Sequence, residues 1–135
     1  WWGINTHGGG EPRPTHGRYI FGVHDNSNTL TASITQVISN LPQGDYVLAV
    51  DMHASNTPNA IRVGAQRLFA GDAVAYFRDQ VKDAGIGDNY PMQTIKLSFT
   101  QKADKTPLTI GVATDGAPHA TWFKIDNFRL YKIVE

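Results

Sequence analysis

His24-Asp25-Asn26 and the pair His53 and Asn56 set imidazole, carboxylate and amide groups at the ends of apolar stretches. Trp1, Trp2, Tyr90 and Trp122 stand at comparable positions elsewhere in the 135-residue chain. Together these side chains suit one kind of chemistry. Planar rings offer a surface for the C–H face of an uncharged, polyhydroxylated molecule, and Asn, Asp and His offer short donors and acceptors that read hydroxyl geometry. Each such hydrogen bond replaces one made to water and nets only ~1 kcal/mol, so every single contact is weak.

Each of these residues has a structural use that competes with the chemical one. Trp122 opens a strand and serves either as a stacking platform or as part of the rim or core. Alternation at Trp1-Trp2 sends one ring inward and one outward, so at most one of them meets a ligand. His24 and His53 either touch ligand or cap loops, and Asn26 and Asn56 either read hydroxyls or hold turns. His7, His16 and His119 are too scattered for a zinc spacing. Gly8-Gly9-Gly10 lacks the helix and lysine of a phosphate loop.

Composition narrows the setting. The length fits one domain, residues 1–135, whose core buries roughly two-thirds of the unfolded surface. Twelve basic and twelve acidic residues cancel and are scattered, so the clustered basic face that nucleic acid needs is missing. No apolar run approaches the ~20 residues of a membrane-spanning helix. With no cysteine the fold has neither disulfides nor thiolate metal sites.

The elements that must position the site read as short strands. Residues 18–24 alternate, with Tyr19, Phe21 and Val23 on one face. Residues 30–38 place Leu30, Ala32, Ile34, Gln36 and Ile38 together, and residues 46–53 place Tyr46, Leu48, Val50 and Met52 together. The Pro and Gly of Leu41-Pro42-Gln43-Gly44-Asp45 predict a turn joining those two strands as a hairpin. Further strands are expected at 1–4, 60–68, 72–78, 92–100, 107–113 and 121–133, with a loop at 5–17 and a helical turn within 77–84. In the last strand Phe123 and Ile125 share a face with Phe128 and Leu130 only if one extra residue intervenes, which predicts a β-bulge at Asp126-Asn127. Many short strands without long helices predict an all-β, antiparallel β-sandwich of jelly-roll type.

If consecutive strands alternate in direction, the loops sort by pole. Tight turns at 39–45 and 101–106 fall at the lower pole. Residues 24–28, 55–59, 77–91 and 115–119 fall at the upper one, with Trp1 and Trp2 beginning nearby. Binding residues concentrate on such loops. Asp126 on the bulge is either a calcium ligand or a carboxylate satisfied by backbone N–H groups.

Three segments carry a family resemblance: YIFGVHDN at 19–26, ITQVISNLPQGDYVLAVDMH at 34–53, and 110–131 ending in WFKIDNFRLY. The order of aromatic strand, Gln-containing strand, Leu-x-x-Gly-x-Tyr turn and closing Asp-Asn-Phe-x-Leu strand resembles the carbohydrate-binding modules with a galactose-binding-like β-sandwich, those of family 61 above all. The resemblance implies a secreted or cell-surface, non-catalytic module, covalently linked to a polysaccharidase, that binds a plant polysaccharide with β-1,4-galactan favoured. It also implies a structural calcium held in part by Asp126, although the Asn-x-x-Phe-Glu segment that precedes the site in such modules has no counterpart here. On this reading Trp1 or Trp2, Tyr90 and Trp122 stack on sugar rings, and His24, Asp25, Asn26, His53 and Asn56 bind hydroxyls. Two other classes stay open: a protein-interaction or adhesion sandwich, and a jelly-roll glycosidase or lyase for which Asp25 and Asp115 supply the facing carboxylates.

Overall fold

A computed structural model describes residues 2–6, 19–24, 30–54, 66–80, 92–117 and 122–134. Alternating apolar and polar residues build these into β1 (Trp2–Thr6), β2 (Tyr19–His24), β3 (Leu30–Leu41), β4 (Gly44–Ala54), β5 (Arg67–Ala70), β6 (Ala73–Tyr76), β7 (Gln93–Gln101), β8 (Thr106–Ala117) and β9 (Trp122–Lys132), with a 3-10 turn at Phe77–Asp79. A five-stranded sheet runs β1-β2-β9-β4-β7 and a four-stranded sheet β3-β8-β5-β6. Every pairing is antiparallel. This is the expected β-sandwich.

The inner faces follow the period of two. Tyr46, Leu48, Val50 and Met52 of β4 and Ile95, Leu97 and Phe99 of β7 are buried. They meet Leu68, Ala70, Leu108, Ile110 and Val112 of the facing sheet in one core. Fully burying a side chain such as Leu48 contributes about 1.5–3 kcal/mol. Tyr46 and Phe99, opposite each other in register, stack with ring centroids 5.6 Å apart.

Three expectations are corrected. Residues 30–38 and 46–53 do not form a hairpin, because β3 and β4 lie in different sheets. Alternation identifies an apolar face but not whether the next strand pairs beside it or packs across from it. Here Gly44 takes φ +151°, and the Tyr46 hydroxyl donates to the Pro42 carbonyl at 2.7 Å, tying the strand to the turn that crosses between sheets. Second, the strand expected at 60–68 is seen at Arg67–Ala70; Ile61, Val63 and Ala65 lie outside the described residues. Its partner Ala73–Tyr76 is shorter than the expected 72–78, since the 3-10 turn begins at Phe77. Third, Phe128 stays 36% exposed although the bulge brings it to the face of buried Ile125.

The lower pole receives the connection between β1 and β2, residues 7–18, which lies outside the described residues, and the described turns there are compact. Gln43 N donates to Asp104 Oδ1 at 2.9 Å, Lys105 N to the Leu41 carbonyl at 2.8 Å, and Gly71 N to the Thr109 carbonyl at 2.8 Å.

Candidate functional site

The upper pole gathers strand ends that are distant in the chain. His24 at the end of β2 is the register partner of Trp122 at the start of β9. Trp2 pairs with Val23, one residue before His24, and His53 pairs with Lys124, two residues after Trp122. Four of the candidate residues therefore sit at the same end of four neighbouring strands, β1, β2, β9 and β4. At these four positions the description is of the backbone. The strand ends connected by residues 25–29, 55–65, 81–91 and 118–121 also lie at this pole. Trp1, Asp25, Asn26, Asn56 and Tyr90 belong outside the described residues.

A second feature escaped the sequence reading. On the outer face of the four-stranded sheet, cross-strand register builds two rows: Ser33, Ala113, Arg67 and Tyr76, then Thr35, Gly111, Phe69 and Val74. The middle of each row is low and its flanks are tall. The result is a trough along β8 with Gly111 and Ala113 as floor, Phe69 and Arg67 on one side, and the exposed hydroxyls of Ser33 and Thr35 on the other. A Cβ at Gly111 would collide with the Ile34 carbonyl oxygen and come 2.9 Å from Phe69 Cζ, so only glycine lets the ring lie over the strand. At the upper end Arg67 Nη1 meets Asp115 Oδ2 at 2.7 Å, and Arg78 Cζ stands 4.6 Å from the centre of the Tyr76 ring. Half-buried Phe69 beside hydroxyls, a guanidinium and an exposed carboxylate is the same pairing of apolar plane and short polar groups that the upper loops promised. Expecting the strand to end at residue 68 hid it, by leaving Phe69 outside the strand. The alternation of Arg67 and Phe69 against Leu68 and Ala70 was the available signal.

The closing strand explains its own motif. Its register with β4 advances three residues on β9, from Asp126 to Arg129, while β4 retreats only two, from Asp51 to Ala49. The expected bulge is therefore present. Asn127 takes φ 58°, and its N–H donates to Asp126 Oδ1 at 2.8 Å. The bulge aims Arg129 at buried Asp51. Nη1 reaches Oδ2 at 2.9 Å and Nη2 reaches Oδ1 at 3.0 Å. Thr94 Oγ1 donates to Oδ1 at 2.7 Å and Asn127 Nδ2 to Oδ2 at 3.4 Å. These hydrogen bonds to Asp51 raise the Arg129 pKa further above its ordinary range, against the opposing effect of burial. Lys124 on the same face is buried, and desolvation lowers its pKa. The motif thus does scaffold work: it satisfies a carboxylate inside the sheet.

The sequence matches no protein-family model and no curated protein. The structure does match solved folds. A family 61 carbohydrate-binding module in complex with β-1,4-galactotriose superposes with a TM-score of 0.60 at 14% identity, covering 98% of this chain and 82% of that one. The fold is that of the carbohydrate-binding modules. A family 16 module gives a TM-score of 0.61 at 14% identity over 87% of this chain and 79% of its own. A family 4 module gives 0.52 at 15% identity over 98% and 94%. The resemblance carried by the Tyr46 turn and the Asp126-Asn127-Phe128 strand is borne out at the level of fold.

Within this module fold, the carboxylates bear on two expectations. Asp126 spends one oxygen on the bulge amide, and among the described residues no three His, Asp or Glu side chains gather as a metal site. Asp115, one half of the carboxylate pair a glycosidase would need, is bridged to Arg67, and Asp25 is outside the described residues. Among the described residues, no helix is long and apolar enough to cross a membrane.

Proposed function

We propose that this domain is a non-catalytic carbohydrate-binding module that holds a secreted polysaccharidase, covalently linked to it, near a plant polysaccharide, with β-1,4-galactan the favoured chain. The observation that carries the reading is the convergence of β1, β2, β9 and β4 at the upper pole, where His24 and Trp122 are register partners and Trp2 and His53 lie alongside. Residues from four separate stretches of sequence share one rim, as a site for an extended ligand requires. The trough on the outer face of β8 rises toward the same pole and supplies a second stretch of aromatic and hydroxyl surface. The solved module of like fold that holds β-1,4-galactotriose supports the choice of saccharide.

In this proposal Trp1 or Trp2, Tyr90 and Trp122 stack on sugar rings, and His24, Asp25, Asn26, His53 and Asn56 bind hydroxyls. The deciding experiment is affinity electrophoresis in galactan-containing gels. Trp122→Ala should abolish retardation while the thermal midpoint stays nearly unchanged. A large fall in midpoint would make Trp122 a structural residue, and unaltered retardation would remove the rim from the site.

A further inference from the structure

On one flank the two sheets part around a cleft of about 120 Å³. Ile34 and Gln36 of β3 and Ile110 of β8 line it from one sheet, and Phe128 of β9 lines it from the other. These are core-side positions. Ile110 belongs to the core and Ile34 packs against it, Gln36 is the register partner of Ile110, and the bulge brings Phe128 to the face of Ile125. Gln36 is nevertheless exposed, and Phe128 is 36% exposed. Native interiors leave few voids larger than a water molecule. A cleft that keeps an aromatic ring and an amide open on the core side departs from that packing.

The lining selects a narrow class of occupant. Phe128 offers a planar apolar surface, Ile34 and Ile110 offer aliphatic walls, and the Gln36 carboxamide both donates and accepts. Thr35 adds a hydroxyl, and no lining residue is charged. An ion, a phosphate or a carboxylate would find no counter-charge here, and desolvating it unpaired is costly. A purely apolar molecule would strip water from the Gln36 amide and return no hydrogen bond. What fits is a neutral molecule with one apolar face and several hydroxyls. The volume is below the ~300–1,000 Å³ of a pocket that encloses a drug-sized ligand, so it admits a single ring rather than a chain. Thr35 and Gly111 line this cleft and also the trough on the outer face of β8, so the two surfaces meet at β3.

We infer that the cleft between β3 and β9 is a second saccharide site, which takes one neutral sugar ring at a chain end, its C–H face on Phe128 and its hydroxyls on the Gln36 amide. The inference rests on the saccharide reading of the domain but not on the upper rim, which lies at the ends of other strands. An aromatic plane with one carboxamide beside it is the smallest set that both holds a sugar face and reads its hydroxyls. A chain end suits the site because the core closes it behind Ile110, leaving no exit for a continuing chain. Two sites on one domain also raise its retention on a polymer, since the second contact is made at the high effective concentration set by the first. The cleft alone binds weakly, and its contribution is to hold the domain on material rich in chain ends.

The test is two-dimensional amide NMR on the full chain, titrated first with methyl β-galactopyranoside, a single ring, and then with β-1,4-galactotriose. The single ring should shift the backbone signals of Gln36 and Gly111 and the Gln36 side-chain amide. Phe128→Ala should weaken that response about tenfold. Gln36→Leu, at an exposed position that folding tolerates, should weaken the Gly111 response likewise and carries the test if Phe128→Ala does not fold. In both variants the Trp122 indole should answer galactotriose as in the wild type. Cleft signals that ignore the single ring, or that move equally in the wild type and both variants, overturn the inference. Shifts confined to the Trp122 region overturn it too and leave the saccharide reading standing. No shift anywhere with either sugar overturns both.

Discussion

Replacing Phe69 by alanine separates the trough from the rim. The ring lies over the bare backbone of Gly111, with Ser33 and Thr35 across the trough and Arg67 beside it. A sugar face stacked on an aromatic ring gains ~0.5–1.5 kcal/mol beyond the area it buries. Covering the part of the half-buried ring still open in the free protein adds on the order of ~1 kcal/mol, a fraction of the ~1.5–3 kcal/mol of full burial. Since the ring is half-buried, only its outer part can be used, and the sum comes to about 1.4 kcal/mol. Phe69→Ala should therefore weaken binding of β-1,4-galacto-oligosaccharide about tenfold, read by titration calorimetry. The variant should also lose some stability. Full burial would make Phe→Ala cost ~3–5 kcal/mol, and half of that is about 2 kcal/mol. Melting must accordingly show a folded variant at the titration temperature. Affinity within about twofold of wild type, ~0.4 kcal/mol, would refute the trough as a sugar surface and leave the rim alone.

The remaining expectations are briefer. Gly111→Ala drives a methyl group into the Ile34 carbonyl and against Phe69, so it should cost about 2–3 kcal/mol and lower the melting midpoint by on the order of 10 °C; a shift under about 2 °C would mean the sheet relaxes freely. Burial lowers the Lys124 pKa, so in the alkaline range between the lowered and the ordinary value the unfolded chain holds more protons than the folded one, and stability from this group rises with pH. The wild type should thus gain on Lys124→Met as pH climbs through that range, and a constant difference in midpoint would show that Lys124 titrates normally. Calcium at Asp126 is tested by melting after EDTA treatment and again with calcium restored. A midpoint that rises on calcium addition and fails to do so in Asp126→Ala would place an ion there, and an unchanged midpoint would assign Asp126 to the bulge.

Much of the core was legible because its cause is local. The period of two placed Tyr46, Leu48, Val50 and Met52 on one face without any partner strand in view, and all four are buried. The bulge was legible for the same reason: Ile125 and Leu130 differ in parity, and an extra residue is the cheapest repair. The gathering of His24, His53 and Trp122 at one pole followed from counting reversals, and it survived even though β3 and β4 lie in different sheets, since a crossing between sheets still reverses the chain. The trough was not legible. Ser33, Ala113, Arg67 and Tyr76 become a row only when β3, β8, β5 and β6 are set in register. Nothing local to Gly111 announces that Phe69, forty-two positions earlier, will lie over it.

What this sequence determined by itself is the type of each strand, the face it buries, the residues of its tight turns and the polar character of its upper loops. These depend on backbone geometry and on neighbours within a few positions. Tertiary structure alone decided which strands pair, that β3 and β4 fall in different sheets, and that Asp51 finds Arg129 seventy-eight residues away. Those outcomes are settled by the joint packing of two sheets, and many pairings are equally compatible with the same alternation until the whole core closes.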